Sequence, residues 1–260
     1  LTETNSGLST NGTLTLTDID VKDAVTTAKV NYVSTSGGTF AGTIPAALTD
    51  TVLKNMFAAT GGTLAADGTR TDTINWTFNS NGEAFNFLPK EETLKLTYRV
   101  QSGDDSAASN SASNYQDVTI TITGTNDGPV LTNDTVSITE DASPNTVSGD
   151  VTNTSDTDAD YGEDHANMTV IAAKEDTAGT AADIAAGATG TTISGLYGTL
   201  TLHQDGTYSY ALNNANTAVN ALAATEKLYD TFDITVQDHG GDKASQTLTV
   251  TINGANDAPV

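Results

Sequence analysis

The stretch Gly124-Thr125-Asn126-Asp127-Gly128-Pro129-Val130 returns as Gly254-Ala255-Asn256-Asp257-Ala258-Pro259-Val260, 130 residues later (254 − 124), half the length of the 260-residue chain. Each copy follows a run that alternates apolar residues with Thr: Val118-Thr119-Ile120-Thr121-Ile122-Thr123 in one, Leu248-Thr249-Val250-Thr251-Ile252 in the other. A period of two is the pattern of a half-buried strand. Proline cannot continue a ladder and biases the preceding residue towards extended geometry, so a strand that ends in Gly-x-Asn-Asp-x-Pro reads as a domain boundary. The expectation is two like domains, 1–127 and 128–260, joined by a short acidic connection.

Outward from that boundary the same pieces recur in the same order. Thr2-Glu3 is followed by Leu14, Leu16 and the acids Asp18, Asp20 and Asp23; Thr139-Glu140-Asp141 is followed by Asp156, Asp158 and Asp160. The offsets there are 137 (140 − 3) and 138 (156 − 18), so a few inserted residues separate the copies while the acidic loop persists. Between 46 and 60, Leu48, Val52, Leu53, Met56 and Phe57 fall at helical spacing with Gly61 as a C-cap, which predicts a short covering helix. The counterpart over 178–188 is Ala-rich and predicts a weaker one.

Hairpins come next. Trp76 and Phe78 precede Asn79-Ser80-Asn81-Gly82 and then Phe85 and Phe87; Leu200 and Leu202 precede Asp205-Gly206 and then Tyr208, Tyr210 and Leu212. Asn-Gly and Asp-Gly favour the positive φ angles that tight turns need. Alternate spacing reads these aromatics as core-facing, with a sugar platform as the other reading. The closing pairs are Leu94 to Gln101 with Val118 to Ile122, and Phe232 to Gln237 with Leu248 to Ile252, separated by loops holding Asp104 and Asp105 and, in the second copy, Asp238. About seven short strands per domain predict an all-β fold of two tandem antiparallel β-sandwiches, immunoglobulin-like, with short helical insertions.

The charge narrows the function. Thirty-three acidic residues against ten basic ones leave a net −23, which argues against a phosphate-binding surface and nucleic acid, and makes divalent cations the natural counterions. With no cysteine there is neither a disulfide framework nor a thiolate metal site. No stretch of eighteen apolar residues occurs, so no membrane insertion is expected; the lack of a leader together with the paired end-motif predicts a segment of a longer array. His165, His203 and His239 show no zincin spacing, and there is no nucleophile elbow, phosphate-binding loop or dinucleotide fingerprint, so no enzymatic activity is expected.

The terminal Gly-x-Asn-Asp-x-Pro-Val, the Val-Thr-Ile-Thr-Ile strand before it, the early Thr-Glu, the Asp-x-Asp loop and Asp205-Gly206-Thr207-Tyr208-Ser209-Tyr210 together resemble the VCBS-type repeat, a cadherin-like module of large bacterial surface adhesins and repeats-in-toxin (RTX) proteins. The resemblance covers nearly the whole chain; the first copy departs from it in its Trp76–Phe87 stretch and in the polar loop 104–114. It implies an extracellular, type I-secreted, monomeric extender at the bacterial cell surface, serving adhesion or biofilm formation. Its partners are then neighbouring repeats of the same chain, with calcium-assisted binding of a cell-surface glycan or protein as the alternative.

The resemblance also implies calcium-dependent junctions. Asn126 and Asp127 match the linker motif, and Asp156, Asp158 and Asp160 match the acidic loop of the following domain. Glu140 is a looser match, Asp104, Asp105 and Asp238 stand by position, and Glu3, Asp18, Asp20, Asp23, Asn256 and Asp257 are the counterparts in the repeated pattern. Calcium takes six to eight oxygens in a tolerant geometry, and carboxylates at alternate loop positions can turn several onto one ion.

Overall fold

The computed structural model describes residues 1–19, 24–104, 115–177 and 179–256. Strands dominate, as the alternating pattern predicts, and the chain divides into two compact units, Leu1–Thr125 and Asn126–Val260.

The first unit holds strands β1 (Ser9–Thr17), β2 (Val25–Ser34), β3 (Phe57–Gly61), β4 (Thr71–Asn79), β5 (Thr93–Asp104) and β6 (Tyr115–Thr123), with one helix, α1 (Asp50–Asn55). They form two three-stranded antiparallel sheets, β1-β4-β3 and β2-β5-β6. Residues of alternate parity point inward, so Leu94, Leu96, Tyr98 and Val100 of β5 meet Ile74 and Phe78 of β4 in one core. Phe57 stacks on Tyr98 with ring centroids 4.5 Å apart, and on Trp76 at 5.6 Å. The aromatics are core, as expected.

Two local expectations differ from the structure. The helix foreseen over 46–60 is confined to Asp50–Asn55, capped by the Thr49 side chain, which accepts from Val52 N. Phe57 is drawn instead into β3, where pairing with Phe78 and ring stacking outweigh a marginal six-residue helix. The foreseen Trp76–Phe87 hairpin is absent: β4 pairs with β1 and β3. Residues 80–88 form a loop whose Phe85 and Leu88 plug the end of the core, held by Ser80 N to Leu8 O (2.8 Å) and Leu8 N to Ser80 Oγ (2.8 Å).

The second unit contains β7 (Asp134–Thr139), β8 (Thr146–Asp150), β9 (Thr169–Glu175), β10 (Ala182–Asp183), β11 (Thr191–Ser194), β12 (Gly198–Leu202), β13 (Thr207–Leu212), β14 (Lys227–Gln237) and β15 (Lys243–Asn253). A five-stranded sheet, β10-β9-β14-β15-β7, is antiparallel except that β7 runs parallel to β15; a four-stranded antiparallel sheet, β11-β12-β13-β8, contributes to the same core. Phe232, Ile234 and Val236 of β14 and Leu248, Val250 and Ile252 of β15 meet Leu200, Leu202, Tyr210 and Leu212 of the other sheet. This is a β-sandwich. The hairpin foreseen around Asp205-Gly206 is present as β12–β13, and both closing strand pairs form in the foreseen antiparallel sense. The helix foreseen over 178–188 is not seen among the described residues; Ala182–Asp183 pairs with β9 instead, so the edge of the sheet takes the hydrogen bonds a helix would need.

Within the core, Asp230 is fully buried. Its carboxylate accepts from Tyr210 Oη (2.5 Å), Leu196 N (2.8 Å) and Tyr197 N (3.1 Å), so it pins the β11–β12 turn rather than facing solvent.

Candidate metal centre

The acids gather at one end of the second unit, where β14 ends, β15 begins and the chain enters β7. Asp238 continues the inward alternation Phe232, Ile234, Val236, so its carboxylate arrives at the end of the core. The loop 238–242 is closed by Gly241 N (2.5 Å) and Asp242 N (2.8 Å), both donating to Asp238 Oδ1. A Cβ at Gly240 would fall 1.2 Å from Asn126 Oδ1, so the close approach of Asn126 requires glycine there. Asn126 Nδ2 then donates to Asp238 Oδ2 at 3.0 Å.

The loop 156–163 is brought to the same place by two backbone hydrogen bonds between Val130 and Thr157, 2.8 and 3.0 Å. Inside it, Asp160 N donates to Asp158 Oδ1 (2.9 Å) and Asp127 N donates to Asp160 Oδ2 (3.0 Å). Gly162, at φ +83°, turns the chain so that Glu163 folds back, and Glu163 Oε2 accepts from His239 N at 3.2 Å. Carboxylate oxygens of Asp158, Glu163 and Asp238 all lie within 4.8 Å of one another.

Asp158 and Asp160 are thus half committed: a backbone N–H holds one oxygen of each, which leaves the other. Asp160 Oδ1, Asp158 Oδ2 and Asn126 Oδ1 are buried atoms with no hydrogen-bond partner, and Asp160 is only 2% exposed. Buried polar atoms are almost always satisfied, and an unsatisfied charged oxygen is the costliest exception. Burial pushes the Asp160 carboxyl up to about 7, helped by the neighbouring charges of Asp158, Glu163 and Asp127. Asp158 is raised as well, by burial and by the charges of Glu163 and Asp238. Two carboxylates at such a spacing repel by roughly 3 kcal/mol at an effective dielectric of 20. A hard dication reverses that sign, and the donor set of carboxylate and amide oxygens without nitrogen or sulfur suits calcium.

Two further acids of the second unit singled out in the sequence are committed to other partners. Asp156, 2% exposed, accepts from Thr132 N (2.8 Å) and Asn153 N (3.1 Å), one on each oxygen, and so secures the turn that carries the cluster. Glu140 is buried at the opposite end of β7, where its Oε1 accepts from Ala255 N at 2.7 Å; Asn256 follows, exposed. In the first unit Glu3 repeats that arrangement, accepting from Thr125 N at 3.2 Å. Asp18 follows β1, its amide bonded to Arg70 O at 3.0 Å, and Asp104 ends β5 opposite Val25. Asp20, Asp23, Asp105 and Asp257 lie outside the described residues. Glu163 escaped sequence reading; the signal was an acid just past Gly162, where a turn returns the chain to Asp158.

This arrangement spans the stretch that a family comparison singles out. Residues 126–254, just under half of the chain, match the bacterial cadherin-like domain. The second unit is thus similar to that domain over nearly its whole length. No curated protein matches the chain. Among solved structures, the chain is similar to protocadherin gamma B2 extracellular cadherin domains 1–5 (12% identity, 99% of this chain and 42% of that one, TM-score 0.39). It is also similar to mouse protocadherin-24 EC1-3 (15% identity, 87% and 58%, TM-score 0.34) and human mucin-like protocadherin EC1-2 (18% identity, 63% and 69%, TM-score 0.33). The chain therefore spans well under two thirds of the first two of these, and at such TM-scores the likenesses carry no weight for site or function. In the repeat, no helix among the described residues is long and apolar enough to cross a membrane.

Proposed function

We propose that the acidic end of the second unit binds calcium, and that the ion fixes Asn126 and Asp127 onto the repeat, stiffening the connection between the two domains, 1–127 and 128–260. The chain then serves as a calcium-rigidified, non-enzymatic extender of a bacterial cell-surface adhesin of the VCBS and RTX kind, engaged in adhesion or biofilm formation. The ligands are Asn126, Asp127, Asp158, Asp160, Glu163 and Asp238; Glu140 and Glu3, buried beside the ends of their repeats, are candidates for the same role at further junctions.

One observation carries this reading: a carboxylate oxygen of Asp160, on a residue 2% exposed, has no hydrogen-bond partner and lies amid other carboxylates rather than beside a base. Such an arrangement is costly as it stands and favourable around a cation. At about 1 mM free calcium and a dissociation constant near 0.1 mM, one ion stabilises the bound form by roughly 1.4 kcal/mol. That is modest for a fold but large for a joint.

The reading is tested by small-angle scattering and spin-label distances across residue 127 of the 260-residue chain. Millimolar calcium should narrow the distance distribution, chelator should broaden it, and Asp158→Asn should remove the difference. Distributions that ignore both calcium and chelator would rule out the clamp.

A further inference from the structure

A second group of oxygens lies in the second unit where its two sheets meet along one side. There β7, the end strand of the five-stranded sheet, touches β8, the end strand of the other. The end of β8 and the turn after it, 149–153, are met by inward side chains from three different strands. Gln246 belongs to the buried row Gln246, Leu248, Val250 and Ile252 of β15, and its Nε2 donates to Val151 O. Asp134 shares a face of β7 with Val136 and Ile138, and its Oδ1 accepts from Asn153 Nδ2 at 2.8 Å. Tyr208 heads the buried row Tyr208, Tyr210 and Leu212 of β13 and stands opposite Gly149 in register. A Cβ at Gly149 would fall 2.5 Å from Tyr208 Oη, so glycine is what lets the phenol pass under β8.

Each of the three side chains leaves one oxygen over. Gln246 Oε1 and Asp134 Oδ2 are buried atoms with no hydrogen-bond partner, and Tyr208 Oη has none among the described residues. Gln246 is only 3% exposed and Tyr208 6%. Val151 O takes the amide nitrogen of Gln246, so the oxygen is the atom that remains. Asp150 stands beside them, its Oδ1 accepting from Thr152 N at 2.8 Å. Burial pushes the Tyr208 hydroxyl up to about 12, helped by the charges of Asp134 and Asp150. Burial likewise pushes the Asp134 carboxyl up to about 6, helped by the charges of Asp156 and Asp150. No base answers these acids: the ion pairs among the described residues are Arg99 with Asp117 and Lys174 with Asp233. A buried water satisfies free oxygens but leaves the carboxylate charge unopposed, whereas a cation meets both demands.

We infer that this seam holds a second hard cation of the calcium class, bound by Asp134 Oδ2, Tyr208 Oη, Gln246 Oε1 and the Asp150 carboxylate, with water completing the shell. It shares no ligand with the site around Asp158, Asp160 and Asp238. With fewer carboxylates it is the weaker of the two, because affinity for such an ion follows the charge of its ligands. The ion ties β7 and β15 to the end of β8 and so closes the seam between the two sheets.

The test is a calcium titration of the 260-residue chain followed by nuclear magnetic resonance at two reporters, the Gln246 side-chain amide for the seam and the Asp160 backbone amide for the first site. Both should shift, Gln246 with the higher midpoint, while the Val250 amide reports that the fold is intact. Asp134→Asn keeps the acceptor for Asn153 and should raise the Gln246 midpoint at least about tenfold, leaving that of Asp160 in place. Tyr208→Phe should raise the Gln246 midpoint as well, and Asp158→Asn should raise that of Asp160 alone. Gln246 signals that stay still to about 20 mM calcium, or that keep their midpoint in both Asp134→Asn and Tyr208→Phe, overturn the inference. So does a Gln246 shift that disappears with Asp158→Asn, since it then reports the first site. Movement of Gln246 without movement of Asp160 overturns the clamp at Asp158 and upholds the ion in the seam.

Discussion

Replacing Asp160 by Asn should change the stability of the second unit in opposite directions with and without calcium. The Asp160 carboxyl is raised from 3.8 to about 7 by burial and by neighbouring carboxylates. A carboxyl whose folded value lies above its unfolded one holds its proton more tightly when folded. Stability from this group is therefore fully present below about pH 4 and is lost as pH rises through 7. Three pH units correspond to about 4 kcal/mol at most, and solvent at the rim of the cluster reduces that to about 2 kcal/mol. Asparagine keeps the acceptor for Asp127 N and removes the charge, so in chelator at pH 8 the variant should be more stable by about 2 kcal/mol, roughly 6 to 10 °C for a unit of this size. Its pH slope between 5 and 8 should shrink without vanishing, because Asp134, raised to about 6 by burial and by Asp156, and Asp158 act in the same sense. In 5 mM calcium the order should invert, since the variant loses a charged ligand. Thermal melts of both proteins at pH 5.5 and 8, with calcium and with chelator, read all of this. A variant that is destabilised under every condition, or a metal-free wild type that gains stability from pH 5 to 8, would refute the reasoning.

Other consequences are simpler. Asp156→Ala should destabilise the second unit by about 2 kcal/mol equally with and without calcium, because both Asp156 oxygens hold backbone N–H groups; denaturant melts check this. Tyr210→Phe removes a hydrogen bond to the buried Asp230 and should cost about 1 to 3 kcal/mol with calcium affinity unchanged, as melts and calorimetric titration will show. Glu163→Gln should weaken calcium binding about tenfold in titration while leaving the metal-free melting temperature the same or higher, since it removes one of the repelling charges.

The strand pattern was legible because the Thr-alternating runs before Gly124 and Gly254 have a period that only a half-buried strand uses. Asp205-Gly206 announced its hairpin for an equally local reason: Gly206 sits at φ +85°. What escaped were segments settled by tertiary contacts. Phe57 has helical spacing with Leu53, yet ring stacking on Tyr98 takes it into a strand. Asn81-Gly82 makes a turn, but Phe85 leaves it to plug the core. At the proposed calcium site, Asn126, Asp127, Asp158, Asp160 and Asp238 stood out in sequence, and hydrogen bonds and close carboxylates link them with Glu163. Asp156 belongs to the same acidic run, but the N–H groups of Thr132 and Asn153 take up both its oxygens, and no sequence pattern distinguishes a carboxylate so committed from one left open.

The most direct measurement is calorimetric titration of calcium into the metal-free 260-residue chain, repeated with Asp158→Asn and Asp238→Asn. Submillimolar binding that releases protons near pH 7 and weakens at least about tenfold in both variants is the predicted result. Absence of binding at 5 mM calcium, or binding indifferent to both substitutions, would contradict a calcium site at this end of the repeat.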